Sequence, residues 1–206
     1  SEREMRQVRG TAMSMIFQEP MTSFDPVYTI GDQLAEAILA HERPRDPDEV
    51  EARVAEAMAS VGLPDPAGLM RRYPHELSGG MKQRAMIAMA MLGNPEIILC
   101  DEPTTALDVT IQAQIMELLA RIRDERGTSM LFITHNLGLV AELARRAAVM
   151  YAGRIVETSL VPDLFREPLH PYSAGLVASS PRPGSPAGRL AAVSGSVPGL
   201  GSRPGG

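Results

Sequence analysis

Two adjacent carboxylates, Asp101 and Glu102, directly follow a run of four apolar residues, 97–100 (IILC). An apolar run of this length that ends in polar residues is typical of a buried strand, so both carboxylates are predicted at a strand end. There, one carboxylate can hold Mg²⁺ directly or through water, and its neighbour can orient an attacking water molecule. Taken alone, the pattern fits equally well a strand that ends in an acidic loop.

Ser78, Gly79 and Gly80 precede a helical segment that we predict to run to about Leu92. Serine is a favoured helix N-cap, and a helix start presents unpaired backbone N–H groups and a positive dipole end to an anion such as phosphate. The two glycines lack a Cβ atom, so a ligand can approach the backbone closely. An ordinary capped helix start explains the same three residues.

His135 and Gln18 each follow a further predicted strand, which we place at residues 130–134 and 12–17. An imidazole at a strand end can donate to a phosphate oxygen or hold an attacking water molecule. The amide oxygen of Gln18 can bind Mg²⁺ or water. A single histidine is more often structural and Gln18 alone carries little information, so these two residues gain meaning only together with the others.

Strands and helices alternate through the middle of the chain, which predicts an α/β fold with a parallel sheet. One predicted helix runs from Ser78 to about Leu92, a long one has its apolar face at residues 111–122 and is capped by Gly127, and a short one covers residues 137–144. A predicted hairpin covers residues 147–157. We call four groups of residues the polar clusters: 101–102, 78–80, His135 and Gln18. Because they lie at strand ends or helix starts, they occupy the positions where open α/β sheets bind ligands.

Two further regions differ in kind from this core. Residues 30–72 have apolar side chains at helical spacing, with prolines between the segments, and predict a mainly helical insert. In residues 181–206, 12 of the 26 positions are proline or glycine, so we expect an irregular, flexible tail.

The composition argues against several other classes of protein. A net charge of -5 argues against nucleic acid as the main partner, because binding to phosphates needs a basic surface. The single cysteine, Cys100, rules out an internal disulfide framework. No apolar run approaches the roughly 18–20 residues that a membrane helix needs.

In this order and at these separations, the polar clusters resemble the motifs of the nucleotide-binding subunits of ABC transporters. Residues 77–80 (LSGG) resemble the ABC signature, residues 97–102 resemble Walker B with its following glutamate, and residues 106–108 (ALD) resemble the D-loop. His135 resembles the switch histidine, and Gln18 resembles the Q-loop glutamine. The resemblance implies a partial P-loop NTPase core, an α/β fold that binds and hydrolyses ATP.

A narrower resemblance is to the importers of dipeptides, oligopeptides and nickel. It rests on residues 17–26 (FQEPMTSFDP) in the Q-loop region, on residues 81–90 (MKQRAMIAMA) after the signature, and on residues 170–173 (HPYS) and 195–198 (GSVP) in the C-terminal part. Met81 stands where the signature commonly has glutamine, which we interpret as a habit of the subfamily.

The resemblance also implies a role for each site residue. In the family, two subunits pair head to tail, so the signature would bind the γ-phosphate of ATP held by the partner. Glu102 would act as the general base, His135 would stabilise the γ-phosphate and the attacking water, and Asp101 with Gln18 would hold Mg²⁺. The residues implied in ATP binding are Gln18, Ser78, Gly79, Gly80, Met81 and Asp108.

The implied partners are a second ABC ATPase subunit, identical or different, and two membrane permeases. An extracytoplasmic solute-binding protein would take part indirectly. The subunit would lie peripherally on the cytoplasmic side of the plasma (inner) membrane, with the helical insert facing the permeases and residues 20–28 in contact with them.

One family motif is absent from these residues: the P-loop, G-x-x-x-x-G-K-[ST], whose backbone amides and lysine cradle the phosphates. The only lysine is Lys82, preceded by Met81. Because the family's P-loop lies upstream of the Q-loop glutamine, we interpret the chain as lacking the N-terminal part of the domain and expect it to be inactive alone. On this interpretation, residues 1–158 belong to the ABC ATPase domain, with a helical subdomain at about residues 28–93, and residues 159–206 form a C-terminal extension.

Two other functions remain open. One is an ABC ATPase of DNA repair or translation without a transport role, although such proteins usually lack the extension marked by residues 170–172. The other is an interaction module that never hydrolyses ATP, which the absent P-loop favours and the intact Glu102 and His135 disfavour. The coding sequence upstream of Ser1 distinguishes them, because a P-loop there restores the enzyme. The sequence does not specify the transported solute.

Overall fold

Three short strands form a parallel sheet in the first of the two units of the computed structural model, residues 1–133. The strands are β1 (Met13–Ile16), β2 (Ile97–Asp101) and β3 (Ser129–Ile133), hydrogen-bonded in the order β1-β2-β3. The register places Ile16 beside Cys100 and Asp101 beside Ile133. The structure describes residues 1–20, 22–44, 46–105 and 107–180. The predicted α/β fold with parallel strands is confirmed.

Most helices of the first unit begin at a side chain that caps the helix. Thr29, Asp46, Ser78 and Asp108 each accept a hydrogen bond from a backbone N–H group of the turn that they precede. Each bond satisfies one of the donors that a helix start leaves without an internal partner. These helices are α1 (Glu2–Val8), α2 (Ile30–Leu39), α3 (Pro47–Ser60), α4 (Pro66–Met70), α5 (Gly79–Met91) and α6 (Val109–Arg126), with a 3₁₀ turn at Pro74–Glu76.

Helix α3 ends where Gly62 takes a left-handed backbone with φ 76°. Two guanidinium groups bond carbonyl groups at this helix end. Arg84 of α5 donates to the carbonyl oxygen of Val61 at 2.6 Å, and Arg121 of α6 donates to that of Ser60 at 2.9 Å. These bonds satisfy carbonyls that a helix end leaves open, and they join α3 to α5 and α6.

The two faces of the sheet differ in burial. Ile16, Ile98 and Cys100 share one face and are fully buried. Burial raises the pKa of the Cys100 thiol to about 12, so this cysteine stays protonated near neutral pH and is a poor nucleophile. On the opposite face, Leu131 and Ile133 of β3 are 56% and 49% exposed.

The second unit begins at Thr134 and contains a hairpin and three short helices in its described part. Its elements are α7 (Leu137–Leu143), β4 (Arg146–Tyr151), β5 (Arg154–Leu160), α8 (Val161–Arg166) and α9 (Pro171–Ser179). The antiparallel strands β4 and β5 join at Ala152 and Gly153, both with positive φ, as a tight hairpin turn requires. The predicted hairpin is confirmed.

Four short helices, α1, α4, α8 and α9, were not predicted one by one, because they are too short for a clear apolar period. Helix α9 nevertheless has a local start signal, since Pro171 stands at its first position and the His170 side chain accepts a hydrogen bond from the Tyr172 N–H. The expected flexible tail, residues 181–206, lies outside the described residues. None of the helices in the described ranges combines the length and the apolar character that crossing a membrane requires.

Candidate functional site

The candidate site centres on the turn that follows β2, where Glu102 has a left-handed backbone with φ 43°. A residue with a side chain takes this conformation at a cost of about 1–2 kcal/mol. Two backbone hydrogen bonds hold the turn. The Glu102 N–H donates to the carbonyl of Ile133 in β3 at 2.9 Å, and the Thr105 N–H donates to the carbonyl of Glu102 at 3.1 Å. The chain therefore turns sharply directly after the strand, and Glu102 begins that turn.

Two side chains donate hydrogen bonds to the same carboxylate oxygen of Glu102. The Thr105 hydroxyl donates to Oε2 at 2.7 Å, and Gln18 Nε2 donates to it at 3.2 Å. Gln18 lies 84 residues before Glu102 in the chain, and it follows β1, which pairs with β2. The pairing of the two strands thus brings these predicted site residues together, and the two donors fix the orientation of the carboxylate.

Asp101, the last residue of β2, is half-buried and directly precedes Glu102. With Nε2 of Gln18 donating to Glu102, the Oε1 atom of that amide is the atom suited to a cation. A carboxylate and an amide oxygen are ligand types that Mg²⁺ prefers, and Mg²⁺ usually adds substrate phosphates and water to one or two carboxylates. The described part of the chain contains no group of three or more His, Cys, Asp or Glu side chains suited to a metal. One carboxylate and one amide oxygen fit an Mg²⁺ ion whose other ligands are phosphate and water.

The signature residues form the start of helix α5. The Ser78 hydroxyl oxygen accepts a hydrogen bond from the Met81 N–H at 3.3 Å and keeps its own hydrogen for donation. Gly80 is close to α6, because a Cβ atom built there would lie 3.0 Å from Cγ2 of Ile111, whereas one at Gly79 would meet Leu107 at 3.7 Å. A side chain at Gly80 would therefore crowd Ile111 of α6, which gives this glycine a packing role that was not predicted from the sequence.

Asp108 is exposed and caps helix α6, where its Oδ1 atom accepts a hydrogen bond from the Ile111 N–H at 2.9 Å. The loop before it is held by Gln112, whose Nε2 atom donates to the carbonyls of Thr104 at 3.0 Å and Leu107 at 3.1 Å. The segment from Glu102 to Asp108 is therefore fixed at both ends. Ala106, part of the predicted D-loop, lies outside the described residues.

His135 belongs to the second unit and is exposed. It precedes Asn136, which caps α7 by accepting a hydrogen bond from the Gly138 N–H at 2.9 Å. The other predicted site residues all belong to the first unit: Gln18, Ser78, Gly79, Gly80, Met81, Asp101, Glu102 and Asp108. Within that unit, Gln18 and Glu102 touch directly, and the signature glycines face the loop and helix that Asp108 joins.

Three residues of this site were missed from the sequence: Thr105, Gln83 and Gln112. Gln83 carried a signal, because it occupies a buried position on α5 three and four residues before the buried Met86 and Ile87. A polar residue on the apolar side of a helix is unusual and calls for a bonding partner. Thr105 and Gln112 carried no comparable signal, since their bonds depend on how the loop folds.

In the second unit, Glu157 of β5 is buried and anchors the segment that contains residues 170–172 (HPY). Its carboxylate accepts hydrogen bonds from the backbone N–H groups of Leu169 and His170, both at 3.0 Å. The Ser173 hydroxyl and these backbone N–H groups lower the pKa of the Glu157 carboxyl, because they stabilise its charged form. The Tyr172 ring also packs 4.5 Å from that of Tyr151.

Comparison with protein-family models identifies the chain in two parts. The model for ABC transporters matches residues 1–105, and the model for the C-terminal region of oligopeptide/dipeptide transporters matches residues 156–206. The chain therefore belongs to the ABC transporter family.

Individual relatives agree with the family models. The chain is 52% identical over 211 residues to a Brucella ovis protein named for peptide import and ATP binding, covering 100% of this chain and 62% of that protein. It is 48% identical over 204 residues to the dipeptide transport ATP-binding protein DppD of Bacillus subtilis, covering 99% of this chain and 61% of that protein. The chain thus spans 62% and 61% of the length of these two relatives.

Among solved structures, the chain resembles the ATP-binding cassette MJ0796, solved as a dimer in a post-hydrolysis state with ADP and Pi. The TM-score is 0.68 at 26% sequence identity, and the match covers 78% of this chain and 68% of that chain. The predicted α/β core of the ABC ATPase type is confirmed by this likeness.

The cap formed by Asp108 generates a prediction about stability. Asp108→Ala removes the acceptor of the Ile111 N–H and should lower the free energy of unfolding by about 1 kcal/mol, whereas Asp108→Asn keeps an acceptor and should change it by only a few tenths of that amount. Urea unfolding of the two variants measures the difference. Equal losses in both variants would contradict the assignment of a capping role.

Proposed function

We propose that this chain acts within an ATP-binding and ATP-hydrolysing subunit that energises an ABC importer of dipeptides or oligopeptides. The observation that carries the proposal is the end of β2, where Gln18 and Thr105 hold the Glu102 carboxylate next to Asp101. Membership of the ABC transporter family and the match to the C-terminal region of oligopeptide/dipeptide transporters support it. The names of the relatives favour peptides over nickel as the solute.

In the proposed mechanism, Glu102 accepts a proton from the water that attacks the γ-phosphate, or orients that water. The bonds from Gln18 and Thr105 set the direction of the carboxylate before the substrate arrives, so that little reorganisation accompanies the reaction. Asp101 and the amide oxygen of Gln18 would hold Mg²⁺. When bound, this ion offsets the negative charge of the phosphates.

The signature residues would act on ATP held by a second subunit, as the dimeric state of the related cassette suggests. The Ser78 hydroxyl and the backbone N–H groups of Gly79, Gly80 and Met81 lie at a helix start, which favours binding of a phosphate group. Asp108 would couple the two sites of such a dimer. His135 would stabilise the γ-phosphate and the attacking water. The second subunit of the dimer would be either a copy of this subunit or a different ABC ATPase subunit.

The proposal predicts the effect of Glu102→Gln in the whole protein. The amide keeps the size of the side chain and loses its basicity, so ATP binding should persist while the steady-state rate of hydrolysis falls by about 10²–10⁴. Nucleotide binding by fluorescence and phosphate release measure the two quantities. A normal rate of ATP hydrolysis by this variant would contradict the assignment of Glu102 as the general base.

A control for that experiment is the 206-residue chain by itself. Lys82 is its only lysine and does not belong to a GxxxxGK[ST] segment, so we expect the isolated chain to bind Mg-ATP poorly and to be inactive. If the unsubstituted whole protein binds its partners but never hydrolyses ATP, the chain belongs instead to a non-hydrolysing interaction module.

We further propose that residues 1–158 belong to the ABC ATPase domain, with a helical subdomain at about residues 28–93, and that residues 159–206 form the C-terminal extension. The subunit would lie on the cytoplasmic side of the membrane, attached to two permeases. A solute-binding protein outside the membrane would deliver the peptide. Residues 20–28 would contact the permeases, because the aliphatic Val27 and the aromatic Tyr28 are 69% and 56% exposed.

Site-directed crosslinking tests the permease contact. Single cysteines in place of Val27 or Tyr28, in the assembled transporter, should form crosslinks to a permease, whereas a cysteine in place of the exposed Gln7 should not. The buried Cys100 gives a low background, since its thiol is protonated. Crosslinks from Gln7 alone, or from none of the three positions, would count against residues 20–28 as the contact.

A further inference from the structure

Gln83 is a polar side chain inside the first unit, only 1% exposed. A buried amide group destabilises the folded state unless it is hydrogen-bonded. The Nε2 atom of Gln83 donates to the backbone carbonyl of Pro103 at 2.6 Å. Because Pro103 directly follows Glu102, this bond ends one residue from the candidate base.

The Pro103 carbonyl belongs to the turn 102–105 but is not used to close it. The turn closes through the Thr105 N–H and the Glu102 carbonyl, and Pro103 is buried. A buried backbone carbonyl needs a donor. That donor comes from another helix, since Gln83 lies on α5 and is 20 residues away in the chain.

The second polar atom of the Gln83 side chain argues against a role in filling the core. The Oε1 atom is buried and accepts no hydrogen bond in the part of the chain that the structure describes. A methionine fills a similar volume without burying an unsatisfied acceptor. The buried Oε1 atom of Gln83 therefore destabilises the folded state, whereas its Nε2 atom makes a hydrogen bond to the turn.

From these contacts, and resting on the proposed function, we infer that Gln83 is a positioning residue for ATP hydrolysis that holds the turn 102–105 and thereby orients the Glu102 carboxylate. Gln83 lies little more than one helical turn after Ser78, the first residue of the helix start that would meet the partner's ATP. The same bond therefore ties that helix start to the turn that carries the base.

Thr128 offers a matched control. It is also buried, at 5% exposed, and its hydroxyl also donates to a proline carbonyl, that of Pro95, at 3.3 Å. Pro95 precedes β2, whereas Pro103 follows it. A purely structural role predicts similar consequences when either donor is removed, and a positioning role predicts a kinetic effect only at Gln83.

The kinetic test uses Gln83→Met and Thr128→Val in the whole protein. Gln83→Met should lower kcat for ATP hydrolysis by about 10- to 100-fold, because small displacements of a catalytic group have effects of this size. KM for Mg-ATP should stay within about twofold, since the turn does not bind the ground state. Thr128→Val should leave kcat unchanged. Gln83→Asn, whose amide is one methylene too short to reach Pro103, should reproduce the loss if the methionine variant does not fold.

Hydrogen exchange supplies a readout that does not depend on activity. The Thr105 amide, bonded to the Glu102 carbonyl, should exchange at least about tenfold faster in Gln83→Met than in the unsubstituted protein, because the turn opens more often. The Cys100 amide inside β2 should be unaffected. An unchanged Thr105 amide would overturn the inference.

The outcomes separate this inference from the proposed function. If the unsubstituted protein hydrolyses ATP, Glu102→Gln is inactive and Gln83→Met has normal kcat, only the role of Gln83 is overturned. The same holds if Thr128→Val loses as much kcat as Gln83→Met. If the unsubstituted protein does not hydrolyse ATP at all, the proposed function fails and the inference fails with it.

Discussion

The left-handed backbone of Glu102 is the constraint on which the site depends. This conformation costs about 1–2 kcal/mol for a residue with a side chain, so other contacts must hold it. Those contacts come from β3 through its backbone, from Gln18 after β1, from Thr105 within the turn and from Gln83 on α5. Because these segments are far apart in the chain, the turn takes this form only when the sheet and α5 are assembled together.

Side chains of two helices, α5 and α6, make hydrogen bonds to the loop between Glu102 and Asp108. Gln83 reaches it from α5, and Gln112 and the capping Asp108 hold it from α6. Gly80 adds a close contact between the same helices, at a residue that we propose to bind a phosphate group. The residues that would serve ATP hydrolysis thus also stabilise the fold. A substitution at Gly80 or Asp108 therefore affects stability and activity together, and the two effects have to be measured separately.

The sequence predicted the elements whose signals are local and strong. Residues 97–102 predicted β2 with its two terminal carboxylates, and Ser78 predicted the start of α5 through its capping hydroxyl. The strand order and the contact of Gln18 with Glu102 could not be predicted in this way, because strand pairing over 84 residues leaves no local signal. The family resemblance supplied that grouping. The bond from Thr105 to Glu102 was not predictable, since it depends on the turn that Glu102 begins.

A comparison of Glu102→Gly with Glu102→Ala tests most directly whether Glu102 is held in a left-handed turn. Both variants lose the carboxylate and its bonds, so the difference in their free energies of unfolding reports the backbone alone. Glycine is ordinarily the less stable of the two by about 0.5–1 kcal/mol, but a left-handed position reverses the order. Glu102→Gly should be the more stable variant by about 1 kcal/mol, and a more stable Glu102→Ala would contradict a left-handed backbone at this residue.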